Sequence, residues 1–204
     1  MNKIRASVSW TLAIAVITLV LAAIFSIVST FILSGVSWGV GMIIVLVIVL
    51  VGIFFDTIGV AATAAVETPF HAMAAERVPG GKEAVLITRN ADRFANFCND
   101  VIGDIAGIIS GTATAFVVLQ LVQQIGQGDN PAYQFWISVI FTSMIASLTV
   151  GGKSLGKTIA LQYATPIIFQ VGRLFYLIEI KLKINILKNG NSRNKKKKKK
   201  AIRR

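Results

Sequence analysis

The chain has 204 residues, of which 54% are hydrophobic and only 15% charged, and its mean hydropathy is +0.71. A soluble domain carries about 25% charged residues, so the composition argues against a soluble globular enzyme. The formal net charge is +12, but it is concentrated at one end. Lys188, Arg193, Lys195, Lys196, Lys197, Lys198, Lys199, Lys200, Arg203 and Arg204 lie in a tail without acids, and the rest of the chain balances 11 basic against 9 acidic residues, a net +2. A single cysteine, Cys98, excludes an intrachain disulfide, and the lone His71 builds no zinc spacing with it. No glycine-rich phosphate loop or nucleophile–base set occurs, so the expectation is a protein without enzyme chemistry and without an organic cofactor.

Residues 8–33 form an uncharged apolar run, long enough to cross a hydrocarbon core of about 30 Å. It is too long for the apolar part of a cleaved signal peptide, and it is expected to be a retained span. A short link over 34–39 leads to a second run, 40–55, which continues past Asp56 to Val66. Residues 67–93 mix acids and bases around the turn signal Pro79-Gly80-Gly81 and read as a solvated helical hairpin. A third run extends over 94–125, with Asn96, Asn99, Asp100 and Asp104 in its first part, and a fourth over 135–150 ends at Gly151-Gly152-Lys153.

Basic residues at span ends set orientation. Lys3 and Arg5, the hairpin, and everything from Lys153 onward are basic, whereas the two other loops carry no Lys or Arg. Four spans with both termini cytoplasmic satisfy this pattern, so a multi-pass protein of the cell membrane is expected.

Ionisable side chains at membrane depth are costly and by default mark a site. On the second span Asp56, Thr63 and Glu67 fall on one helical face; on the third, Asn96, Asp100, Asp104 and Ser110 share a stripe with Gly103, Gly107 and Gly111. The carboxylates and their neighbours Asp56, Thr63, Glu67, Asn99, Asp100, Asp104 and Ser110 are candidate cation ligands or cavity residues. The three glycines are candidate packing positions. Ser138, Thr142, Ser143 and Ser147 on the fourth span read as helix-packing hydroxyls, and Lys153 and Lys157 follow them as candidate gate or ion-pair residues. His71 is expected to be a hydrogen-bonded residue at the membrane edge, and Cys98 a small apolar filler.

The segments Ala64-Ala65-Val66-Glu67-Thr68, Ala91-Asp92-Arg93-Phe94 running on to Ile102-Gly103-Asp104, and Gly152 to Ala160 occur in the order and spacing of three motifs of one family. The chain resembles, over roughly residues 43–180, the transmembrane domain of the CNNM/CorC (CorB) magnesium transporters. Glu67, Gly103, Gly152 and Lys157 match that family's patterns. The serines before the glutamate are replaced by Ala64 and Val66, the asparagine that follows the glycine by Asp104, the glutamate of the last motif by Lys153, and its proline by Gly156. The resemblance implies a dimer with a three-helix core, a polar cavity, a cytoplasmic juxtamembrane helix, and Mg²⁺ as the transported ion. The regulatory nucleotide-binding CBS pair is absent from these residues, and the first span is an addition.

Lysine in place of a carboxylate repels a divalent ion, which wants about six hard oxygens. It also creates an Asp104–Lys153 couple where the metal would sit. Two expectations follow: divalent-cation transport through an acid-lined cavity, or a transporter-derived scaffold in which this ion pair replaces the ion. The segment 161–187 is expected to be an interfacial amphipathic helix, with Arg173 and Lys181 toward anionic lipid headgroups; the alternative is a fifth span, which would place the tail outside. The like-charged run Lys195 to Lys200 is expected to be disordered and to lie at the membrane surface. Without interleaved aromatics it gives no reason to expect a nucleic-acid partner.

The expected organisation is therefore all-α and polytopic. It comprises an N-terminal span and link (1–39), a three-helix CNNM/CorC-like core with its hairpin (40–160), a juxtamembrane helix (161–187) and a polybasic tail (188–204).

Overall fold

The computed structural model describes residues 2–126 and 130–182. Among them the chain is entirely helical, with no strand. Helix α1 (Asn2–Ser34) is followed by a three-residue break and α2 (Trp38–Ala64). The hairpin consists of α3 (Thr68–Ala75) and α4 (Gly81–Arg89); α5 (Ala91–Asn96), a π-helical turn (Phe97–Gly103) and α6 (Asp104–Gln124) then run on without interruption. Two further helices complete the described residues, α7 (Pro131–Gln162) and α8 (Ala164–Leu182). Among the described residues four stretches are long and apolar enough to cross a membrane: Ile14–Ser34, Trp38–Ala64, Ala91–Gln124 and Pro131–Gln162. Such a set is consistent with a multi-pass membrane protein.

Local chemistry explains the boundaries. Asn130 turns its side-chain carbonyl onto the Tyr133 N–H at 3.3 Å and Pro131 occupies the first turn, a start signal for α7. Helix α2 stops at Ala64 because Ala65 is extended, with ψ 136°. Between α3 and α4 the chain reverses through Arg77 (φ 58°) and Gly80 (φ 92°). A side chain at Gly80 would strike the backbone of Arg173 on α8, so the turn is also a packing surface.

Helix α2 is the hub, packing against α7, α6, α5, α8 and the π-helical turn, while α1 rests mainly on α6. Two apolar clusters fill the bundle. Leu33, Val45, Val49, Ala113, Val117 and Ile145 join four helices, and Val101, Ile105 and Ile109 receive Ile14, Leu21 and Ala22 of α1. A third cluster lies at the hairpin end, where Phe70, Ala84, Val85 and Ile87 meet Ala61 and Ala62 of α2, Ala160 of α7 and Ile168 of α8. The hairpin and α8 therefore form a cap over the ends of α2 and α7.

The fourth span differs from its expected extent. Helix α7 does not end near Val150 but continues three turns, through Lys153 and Lys157, to Gln162. Gly151-Gly152 does not break it: both glycines keep helical backbone, and Gly152 packs against Ile53 of α2. Residues 183–187 of the expected amphipathic segment, and Lys195, Lys196, Lys197, Lys198, Lys199 and Lys200, lie outside the described residues.

Candidate functional site

The site begins with two glycines. On α7, a side chain at Gly152 would collide with Ile53 and one at Gly156 with Thr57 Oγ1, both on α2. Small residues four apart let membrane helices approach closely. The approach carries Lys153, between them in sequence, to Asp56, between Ile53 and Thr57. Facing both is the π-helical turn, whose Gly103 leaves a notch. A Cβ there would lie 3.4 Å from the Cys98 carbonyl oxygen, 3.7 Å from Asp56 Oδ1 and 3.7 Å from Lys153 Nζ.

Lys153 Nζ stands 3.8 Å from Asp56 Oδ1 and 3.6 Å from Asp104 Oδ1. It is thus shared by two carboxylates from two helices. The carboxylates are unequal: the Asp56 side chain is 8% exposed and that of Asp104 65%. Neither separation is short enough for a hydrogen bond, and Asp56 Oδ2 is buried without a partner. One turn further along α2, Gly59 makes room for the Asn99 side chain, whose Oδ1 is likewise buried and unpartnered. Asp56 lies eight residues from the last residue of α2, about 12 Å along the axis, within the length that spans the apolar core.

The other sequence candidates are placed elsewhere. Glu67 does not continue the Asp56–Thr63 face, because α2 ends at Ala64 and the extrapolated helix does not exist. Glu67 instead joins the cap, where its Oε1 accepts from Arg89 Nε and lies 2.9 Å from His71 Nε2, and Arg89 also reaches His71 at 3.4 Å. The Arg89 hydrogen bond holds the Glu67 carboxyl below its ordinary range. Thr63 is exposed and donates to the Val60 carbonyl. Asp100 and Lys157 are exposed. Ser110 is buried and donates to the Gly107 carbonyl at 2.8 Å. Among the described residues nothing lies within 4 Å of a Cβ added at Gly107 or Gly111, so of the three glycines only Gly103 is in contact there. Cys98 is buried, as a filler would be. Arg173 and Lys181 lie on α8, the former over the Phe169 ring at 6.0 Å.

Among the described residues no three His, Cys, Asp or Glu side chains converge as a metal would require. Sequence reasoning singled out Asp56, Asn99, Asp104 and Lys153, but not the parts that assemble them. Those parts are Gly59, Gly152, Gly156 and the π-helical turn. The Gly-x-x-x-Gly spacing of Gly152 and Gly156 was the available signal; the extra residue of a π turn has none, because it leaves no mark on composition. No family model, no curated protein and no solved structure matches the chain.

Proposed function

We propose that the chain is a cation-handling protein of the cell membrane, related to the CNNM/CorC transmembrane domain. In this reading it moves a divalent cation, Mg²⁺ first, past a site at which the Lys153 ammonium holds the cation's place between Asp56 and Asp104. The observation that carries the reading is the shared position of Lys153 between one buried and one exposed carboxylate at membrane depth. A packing interface needs no charge, and in a low-dielectric interior two acids and a base cost several kcal/mol to assemble. Passage of an ion would require Lys153 to leave Asp56.

The reading includes four spans with both termini cytoplasmic, supported by the absence of Lys and Arg from the two loops away from the hairpin. It also includes a homodimer and a membrane-surface role for α8, toward anionic lipid. The open Gly107–Gly111 face supports the first, and exposed Leu174, Leu177 and Ile180 beside Lys181 support the second.

A second reading, a membrane scaffold in which the ion pair is permanent, is favoured by the lack of a three-ligand cluster among the described residues. Mg²⁺ flux into proteoliposomes separates the two. Transport predicts flux in the wild type that falls at least about tenfold in Asp56→Asn, a loss of roughly 1.4 kcal/mol of barrier lowering. No flux in the wild type, together with flux gained in Lys153→Glu, would instead make the pair a lock that abolished transport.

A further inference from the structure

The charges of the triad do not balance. Asp56 and Asp104 carry two negative charges and Lys153 one positive, so the site as built retains one negative charge. Its most buried member is also its least satisfied. Asp56 Oδ2 has no hydrogen-bond partner although the side chain is nine-tenths buried, and the nearest ammonium, on the other oxygen, is too distant to donate. A buried carboxylate left this way is costly unless something outside the protein meets it. The adjoining groups are acceptors too. The Cys98 carbonyl borders the Gly103 notch together with Asp56 Oδ1, and Asn99 Oδ1 is buried without a donor one turn along α2. Two buried side-chain oxygens without donors, beside a backbone carbonyl with a second lone pair, call for a cation.

Valence follows from the charge count. A monovalent ion neutralises the triad with Lys153 in place, whereas a divalent ion would leave an excess positive charge beside the ammonium in a poorly solvated site. We infer that the α2–π-turn interface is a binding site for a small alkali cation, held by the Asp56 carboxylate, Asn99 Oδ1 and the Cys98 carbonyl, and that Lys153 sets its preference for monovalent over divalent ions. The inference rests on the reading of the triad as an ion-handling site. It adds that Lys153 is a selectivity residue rather than only a plug. Hard oxygen ligands suit Li⁺ and Na⁺, and removal of Lys153 leaves a doubly negative pair suited to Mg²⁺.

The test is thermal unfolding of the purified full-length chain, followed by tryptophan fluorescence. LiCl, NaCl, choline chloride or MgCl₂ is titrated at constant ionic strength. A ligand that binds only the folded state raises Tm saturably. The expected result is a saturable rise with Na⁺ or Li⁺ over choline, none with Mg²⁺ over the same background, and apparent affinity at least about tenfold weaker in Asn99→Ala and Asp56→Asn. Lys153→Met should reverse the preference, gaining a saturable Mg²⁺ response. Equal Tm in alkali and choline for the wild type would overturn the site, as would an unchanged alkali response in Asn99→Ala, whose charge is unaltered and which serves if Asp56→Asn does not fold. A Mg²⁺ response in the wild type equal to that in Lys153→Met would overturn the role of Lys153. Flux is measured separately, so alkali binding without Mg²⁺ flux removes the transport reading and keeps the site. Flux without alkali binding does the reverse.

Discussion

At the scale of single residues, the two acids that share Lys153 are not equivalent, and their exposure predicts different costs. Lys153→Met leaves Asp56 buried beside an exposed acid with no cation of the protein's own, and breaking a buried pair from one side costs about 3–5 kcal/mol. The double variant Asp56→Asn/Lys153→Met removes both charges and should recover most of that loss. Asp104→Asn should change stability by no more than about 1 kcal/mol, because Asp104 is 65% exposed and its removal leaves a neutral Asp56–Lys153 pair. Detergent-solubilised thermal or denaturant unfolding of the three variants checks the order. A double variant as damaged as Lys153→Met would mean that the pair is not what the single substitution breaks. The sequence made Asp104 and Lys153 visible, because a lysine stood where the motif it resembles has an acid. It could not rank Asp56 above Asp104, since burial is decided by which neighbouring helix covers each side chain.

At the scale of elements, the arrangement depends on a close crossing of α2 and α7, and glycine spacing was legible without its partners. Gly103, Gly107 and Gly111 form the more regular repeat, yet the crossing that positions the triad uses Gly152 and Gly156. The physical reason is that small residues permit an approach but do not choose a neighbour; the facing bulk of Ile53 and Thr57 chooses it. Gly156→Leu should therefore cost about 1–3 kcal/mol or more through overpacking and move Lys153 away from Asp56. Gly107→Leu should leave the folded protomer unchanged. If the open face is the dimer contact, Gly107→Leu should shift the protein to monomer in cross-linking or light scattering while Tm of the protomer holds. A dimer insensitive to Gly107→Leu would place the contact on another face. The hairpin offers a second element-scale expectation. Glu67 is held below its usual carboxylate range by Arg89, so the Glu67–Arg89 tie is present above the unfolded carboxylate value and is lost as pH falls through the depressed one. Protease cleavage in 76–81 should therefore stay constant from neutral to mildly acidic pH and rise only below the ordinary glutamate range, and Glu67→Gln should remove that dependence.

At the scale of the whole molecule, charge and packing agree on which ends of the helices share a side. The Gln120 side chain donates to the Leu33 carbonyl at 3.2 Å, which ties the ends of α6 and α1 near the two loops that carry no Lys or Arg. The opposite end gathers the hairpin, the end of α7 and α8 into one apolar cluster. Helix α8 packs along α4, with Gly172 against Gly80 and Ala84, and this contact with the hairpin supports the proposed membrane-surface role of α8 over a fifth span. In that reading the end of α8 shares the hairpin's side of the membrane. In the proposed orientation that side is cytoplasmic. In a Cys98→Ala background, single cysteines at Gly126 and at Ser37 should react with an impermeant maleimide on intact cells. Cysteines at Lys82 and at Lys181 should react only after permeabilisation. Labelling of Lys181→Cys from outside, with Lys82→Cys protected, would mean that α8 crosses the membrane and that its packing on α4 is not the arrangement in the bilayer. Labelling of both from outside would invert the whole molecule and carry the basic end, and every ion-path reading built on its orientation, to the other face.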